Sequence, residues 1–332
     1  EPVTPQAGQR VETALYPALP TLARMYALNV VDSYDQRRGD LALLSDGGMN
    51  RKAGAAWGRL MGKIGQSDPS SATFGPMLKS RTYGVQVGLD LVQQQASNGG
   101  QTFIGPFATF GQATGRVSSQ SGAMQTGSVS LNAYSGGLNA THITQEGHYI
   151  DALVQGTYFE NATANSLVST AISTQGGGFT ASLEGGYKLA VTSQMSLTPQ
   201  LQVIYNLNSL KSSADAYSQV SMPNDSATLG RVGFKLSHNG ESAGPQASNV
   251  WARVSGLSML SGANTQTSFS NLAGTNTTTL NTQAPTSWMA FDIGANKVIS
   301  GNHLVYLNAG YESALSTMYQ AGYVKGGYTY RF

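Results

Sequence analysis

The chain has 332 residues, 19 basic and 17 acidic, and only 11% of its side chains are charged, where soluble globular proteins carry about 25%. It has no basic cluster to serve as a nucleic-acid surface, no cysteine for disulfides or thiolate chemistry, and no 18-residue apolar run to form a transmembrane helix. Any crossing of a membrane therefore falls to strands.

The opening segment, EPVTPQAGQR, is not read as a signal peptide and is expected to be a piece of a longer precursor. Strong helix formers then gather in PALPTLARMYALNVVDSYDQRRGD, predicting a helix over 18–38 with Pro20 in its first turn and Gly39 as its stop. Its apolar stripe is interrupted by Arg24, Asn29, Asp32 and Asp35, which suits a helix touched on several sides better than one lying on a surface. An ordinary helix packed beside a sheet remains the alternative.

After Gly54 the period changes to two. Twelve alternating segments follow, beginning near Ala55, Thr82, Thr102, Ser128, His148, Gly178, Met195, Ala227, Asn249, Thr286, Asn302 and Ala321. Each is near the 9–11 residues of a tilted transmembrane strand. Tyr83, Val85, Val87, Leu89 and Leu91 share one parity, and Gly84, Gln86, Gly88 and Asp90 the other. Charge keeps to the second parity, on Arg59, Lys63, Asp151, Glu184, Lys188, Arg231, Lys235, Arg253, Asp292 and Glu312. A soluble sandwich alternates too, but Gly58, Gly62, Gly156 and Gly185 on the apolar face would fill a sandwich core poorly.

Connections after odd-numbered segments are mostly long, and those after even-numbered segments mostly short. That asymmetry is the pattern of an outer-membrane barrel with both chain ends at the short-turn rim. Tyr158, Phe159, Tyr187, Tyr205, Tyr311, Tyr319, Tyr323, Tyr328, Tyr330 and Phe332 lie toward segment ends, as girdle aromatics should. A helix of about 20 residues spans about 30 Å, so the segment upstream of the first strand matches the hydrocarbon thickness and could thread the lumen. A helix folded beneath the barrel is the other arrangement. The predicted fold is thus an all-β transmembrane barrel of twelve antiparallel strands with an N-terminal α-helix in its lumen.

These residues resemble the C-terminal translocator domain of classical, type Va autotransporters over nearly the whole chain. RVETALYPALPTLARMYALNVVDSYDQRRGDL resembles the family's passenger junction, linker helix and Arg-x-Gly-Asp turn, the last on Arg37, Arg38, Gly39 and Asp40. Trp57 and Arg59 match its first strand, Gly84, Gly88 and Asp90 its second, and GGYTYRF its terminal assembly signal. The resemblance implies a junction at 1–17, a plug helix at 18–39, a connection at 40–54 and a barrel at 55–332. It further implies a plug of Arg24, Asn29, Asp32, Asp35, Arg37 and Arg38, and a lumen lined by Trp57, Arg59, Asp90, Glu184, Lys188, Arg231, Arg253 and Asp292. Tyr328, Tyr330 and Phe332 would form the assembly signal.

The implied role is outer-membrane insertion in a Gram-negative bacterium, with secretion and anchoring of an N-terminal passenger. The implied partners are outer-membrane lipid, the chain's own passenger, the barrel assembly machinery and periplasmic chaperones, for a monomer with no cofactor, metal or catalytic residue. The self-cleaving branch of the family has paired asparagines in its helix, whereas Asn29 is followed here by Val30; Asp32 and Ser33 are the other pair to consider. His142, His148, His238 and His303 are isolated, without metal-ligand spacing. A porin-like channel without a passenger and a soluble adhesin are the competing readings.

Overall fold

The computed structural model describes residues 12–44, 54–68, 76–95, 99–118, 125–167, 172–240, 247–299, 301–314 and 318–332. The junction expected before residue 12, most of the 40–54 connection and several loop tips lie outside the described residues. Twelve long strands carry the fold: β1 (Ala55–Asp68), β2 (Met77–Asp90), β3 (Gln101–Ser118), β4 (Gln125–Ile143), β5 (Tyr149–Ser166), β6 (Ile172–Gly186), β7 (Met195–Leu210), β8 (Asp225–Asn239), β9 (Ser248–Ser261), β10 (Ser287–Ile299), β11 (His303–Ser313) and β12 (Met318–Arg331). Each is antiparallel to its chain neighbours, and β1 pairs with β12 from Ala55↔Arg331 to Asp68↔Met318, closing the sheet on itself. Closure leaves no edge, the condition under which strands can cross lipid.

The strands run from 11 to 19 residues, longer than expected from sequence. Their upper ends are rich in Ser, Thr and Gly, and so resemble loop in composition while remaining paired. Above the barrel, Ser213–Ala214, Ser218–Ser221, Asn264–Asn271 and Thr277–Gln283 form a separate four-stranded sheet within the two longest upper connections.

Alternation sorts the walls as predicted. Outward faces carry Tyr83, Val85, Val87, Leu183, Leu201, Phe234 and Ile293, all exposed to the surroundings; inward faces carry Gln86, Asp90, Asp151, Glu184, Arg231, Arg253 and Asp292, all buried. Three of the aromatics expected in a girdle are corrected: Phe159, Tyr319 and Tyr323 are buried on the inward face, in step with inward Asp151 and Lys325. Their position near strand ends suggested a girdle, but parity decides the face. On β5 a bulge after Phe159, with Asn161 at φ +49°, resets the parity and turns Ala162 and Ala164 inward as well.

The glycines also divide by face. A Cβ at outward Gly156 would meet nothing, whereas one at inward Gly88 would collide with the Trp57 ring across the β1–β2 pair, and one at Gly294 with Trp251. The inward glycines make room for an indole lying flat over the neighbouring strand.

The N-terminal segment is one short turn, Glu12–Leu15, followed by α1 (Ala18–Val31) and α2 (Tyr34–Arg38), then a 3₁₀ turn at Leu41–Leu43. The single helix expected over 18–38 is therefore broken at Asp32 and Ser33. Asp32 lies at φ +55°, and Ser33 is extended and starts α2 by a capping box with Gln36.

Candidate functional site: the helix-filled lumen

α1 packs into the upper half of the barrel against β2–β7. Leu15, Leu19, Leu22, Ala23, Tyr26 and Val30 join a core with Ala113, Val117, Val129, Leu131, Ala133 and Phe159. This half of the lumen is apolar, a feature unforeseen from sequence. On β4 the inward face changes along one strand, from Val129, Leu131 and Ala133 above to Asn139 and Thr141 below. Small side chains allow the helix to lie close, and Gly111 leaves space for the Tyr26 ring.

The lower half is polar, and there the chain from Asp32 to Asp40 is gripped on all sides. The break exposes carbonyls that no helical donor can reach, and barrel side chains meet them: Arg59 Nη2 donates to Val30 O at 2.6 Å and Gln202 Nε2 to Asp32 O at 2.7 Å. Arg59 also donates from Nη1 to Asp32 Oδ2 at 2.6 Å, and Lys325 Nζ pairs with Oδ1 of the same carboxylate. One helix carboxylate thus binds cations from β1 and β12.

Past the break, Arg253 Nη1 donates to Ser33 Oγ at 2.8 Å, and the free Tyr34 amide donates to Glu184 Oε2 at 2.9 Å. Asp35 accepts from Lys235 Nζ at 2.6 Å and Gln200 Nε2 at 2.8 Å. Gln36 Nε2 donates to Tyr323 Oη at 2.9 Å. Arg37 Nη2 lies 2.6 Å from Asp151 Oδ2, and Arg38 makes a two-pronged pair with Asp90 while its guanidinium sits 4.8 Å above the Trp57 ring. Gly39, at φ +65°, turns the chain with Asn296 and Tyr306 so near that any Cβ would strike them. Asp40 then accepts from Asn249 Nδ2 at 2.6 Å, and Arg331 Nη1 donates to Leu44 O at 2.9 Å beneath.

Of the side chains expected in the plug, Asp32, Asp35, Arg37 and Arg38 converge on the barrel wall in this lower band. Arg24 lies higher and pairs with Asp225 at the top of β8, its Nε donating to Oδ2 at 2.8 Å. Asn29 makes no polar contact with the protein at either amide atom and faces a cleft of about 1170 Å³, counted to its open mouth, between α1 and the wall that runs from β7 through β12 to β1 and β2. Trp57, Arg59, Asp90, Glu184, Arg231, Arg253 and Asp292 all line the lumen, with Arg231 3.0 Å from Glu184 and Arg253 2.8 Å from Asp292. Lys188, just past the end of β6, keeps the inward parity and lines a small pocket at the lower rim together with Tyr34, Asp35 and Lys235. Tyr328, Tyr330 and Phe332 are exposed, and the Phe332 amide donates to Gly54 O at 3.0 Å.

The sequence reading did not single out Gln36, Gln200, Gln202 or Asn249 as partners. The Ser33-x-x-Gln36 capping box was the available signal that a second helix begins there. Among the described residues no group of three or more His, Asp or Glu is placed to hold a metal ion.

The arrangement is a lumen filled from above by an apolar helix and locked below by charge. The family model "Autotransporter beta-domain" matches residues 56–310. The chain belongs to that family. It is an outer-membrane translocator domain of a Gram-negative bacterium. The translocator is 26% identical over 278 residues to the adhesin BmaC autotransporter of Brucella suis, covering 78% of this chain and 8% of that protein. It is 27% identical over 271 residues to the pertactin autotransporter of Bordetella bronchiseptica, covering 79% of this chain and 28% of that protein. It therefore spans less than a third of the length of either relative.

In fold the translocator domain is similar to the transport unit of AIDA-I from Escherichia coli, with TM-score 0.67, 16% identity and coverage of 90% of this chain and 100% of that one. It is also similar to the translocator domain of NalP from Neisseria meningitidis, with TM-score 0.65, 14% identity and coverage of 96% and 99%.

Proposed function

We propose that this domain is a monomeric outer-membrane translocator that lets an N-terminal passenger reach the cell surface, after which residues 18–39 stay in the lumen as plug and tether. The carrying observation is the band from Asp32 to Asp40, bound by side chains of β1, β2, β5–β10 and β12. A segment so held can anchor whatever precedes it. Barrel side chains bound to helix carbonyls and carboxylates occupy much of the lower lumen, which supports its reading as a plug. In this reading residues 1–17 serve as the junction to the passenger and 40–54 as the connection between plug and barrel.

The exposed terminal aromatics Tyr328, Tyr330 and Phe332 stand where the barrel assembly machinery would read the chain end, with periplasmic chaperones holding the unfolded domain before insertion. Single-channel conductance tests the plug. Deleting 20–38 should raise conductance several-fold over the intact chain, and an unchanged conductance would overturn the plug reading. A porin-like channel without a passenger finds no comparable support, because an open channel has no use for a helix held by so many strands.

A further inference from the structure

Three cations stand on the outer wall of the barrel, where the rest of the surface avoids charge. Lys79 and Arg81 on β2 and Arg116 on β3 are exposed and share the outward parity of Tyr83 and Phe110. Lys79 lies directly opposite Arg116 in the register, and Arg81 is the next outward residue below Lys79. Like charges facing each other across strands repel, at a Cα separation of about 4.5–5.5 Å. Among the described residues none of the three makes an ion pair or hydrogen bond that would offset the repulsion. The outward carboxylates nearest on this wall are Asp68 on β1 and Glu160 on β5; neither pairs with the cations, and Glu160 accepts from Tyr134 Oη at 3.2 Å. The only other outward Lys or Arg among the described strand residues is Lys297, at the opposite end of β10.

Height gives the cluster its meaning. Tyr83, Phe110 and Tyr134 form an outward aromatic row across β2, β3 and β4, the mark of a membrane interface, and Arg81 is one outward step above it, about 7 Å along the strand. The row faces the end with the long connections, so the cations lie at the outer leaflet's headgroups. Their cross-strand neighbours Gln66, Thr114 and Ser128 are neutral and polar, and the exposed Ile64, opposite Arg81 on β1, continues the apolar wall at the lower edge of the cluster. From below upward the wall is apolar, aromatic, cationic and then hydroxyl- and amide-rich, which complements an amphiphile with acyl chains, phosphates and sugars in the same order.

We propose that Lys79, Arg81 and Arg116 form a binding site for the phosphate groups of a phosphorylated saccharolipid of the outer leaflet. The phosphate lies between the facing Lys79 and Arg116, converting their repulsion into shared attraction, and Arg81 binds from below. The inference rests on the outer-membrane placement of the barrel and is independent of the plug.

Native mass spectrometry of the detergent-solubilised protein, incubated separately with bis-phosphorylated lipid A, lipid A stripped of both phosphates, phosphatidylglycerol and inorganic phosphate, tests it. Bis-phosphorylated lipid A should be retained at least ten-fold better than each of the other three. The triple variant Lys79→Ser, Arg81→Ser, Arg116→Ser should lose that preference, and Lys79→Arg, Arg81→Lys, Arg116→Lys should keep it. Equal retention of dephosphorylated lipid A, equal binding of phosphatidylglycerol or free phosphate, or an undiminished preference in the serine variant would each overturn the proposal. Should the serine variant fail to show heat-modifiable migration, the lipid comparison on the unaltered protein still decides.

Discussion

Arg59 holds Asp32 by its carboxylate, 2.6 Å from Nη1 to Oδ2, and with its other terminal nitrogen holds the Val30 carbonyl at 2.6 Å. One guanidinium therefore serves both the acid that interrupts the helix and a carbonyl the interruption leaves without a helical donor. Arg59 is itself fixed by Gln86, which accepts from Nε at 2.9 Å and donates onward to Thr109 at 2.8 Å. Lysine could supply the charge but not this forked geometry.

Replacing Asp32 should expose how much the break contributes. Asp32→Ala leaves Arg59 and Lys325 buried without their shared counterion, a loss on the order of 3–5 kcal/mol, and should lower the temperature at which gel migration shifts from folded to unfolded. Asp32→Gly loses the same charge but suits the positive φ, relieving strain of about 1–3 kcal/mol, and should melt above the alanine variant. Identical midpoints for the two would show that backbone conformation at this position carries no weight.

The Trp57–Gly88 contact predicts a coupled pair. Gly88→Val forces a branched side chain into the indole, and Trp57→Ala opens a cavity and removes the ring beneath Arg38, a loss of about 3–5 kcal/mol. Together the two should cost less than the sum of the single changes, because the cavity receives the valine. Urea unfolding in detergent, followed by tryptophan-independent far-UV signal, reads the cycle; strict additivity would contradict the contact.

At the top, Tyr16 ties the helix entrance to the upper sheet. Its hydroxyl donates to Asp215 at 2.7 Å and its ring stacks on Phe269 with centroids 5.9 Å apart. Phe269→Ala, and more mildly Tyr16→Phe at about 1 kcal/mol, should loosen the hairpin of Asn264–Asn271 and Thr277–Gln283. Limited proteolysis from the outer side should cut the 262–286 connection faster, while the barrel's heat-modifiable migration stays unchanged.

Deleting Phe332 removes a ring packed beside Gly54 together with the backbone bond to its carbonyl. Outer-membrane insertion in cells, measured by fractionation and surface protease access, should fall several-fold. The purified chain should still refold in detergent, since Arg331 is the last residue paired to β1. Full insertion in cells would remove the proposed assembly role of the chain end.

Much of the barrel was legible because parity is a local property. Every other residue of β2 or β12 announces its face, and the number of strands and the side of the long loops follow. The lumen was legible only as a list of charged residues. Asp35 and Lys235 are 200 positions apart, and no local pattern pairs them. The inward apolar patch of β3–β5 was hidden for a different reason: Val129, Leu131 and Ala133 look like wall-facing residues until the helix occupies the space beside them. The break at Asp32 was the one missed feature with a local signature, since Ser33 and Gln36 already have capping-box spacing, but the strong helix formers on both sides masked it. Phe159 was assignable by parity from Asp151, and only its place near a strand end suggested a girdle.

The carboxylate of Asp32 touches β1 through Arg59 and β12 through Lys325, the two strands whose pairing joins the beginning of the sheet to its end. Those strands are the most distant in sequence and the last whose partners exist during synthesis, so their meeting carries the largest loop-closure cost of any pair in the barrel. A helix residue that binds both from inside lets the docking of the lumen segment favour the zipping of that seam, and the zipping favour docking in return. Completing the wall and settling the chain within it then become one cooperative event, and a barrel still open along this junction has no finished seat for its helix.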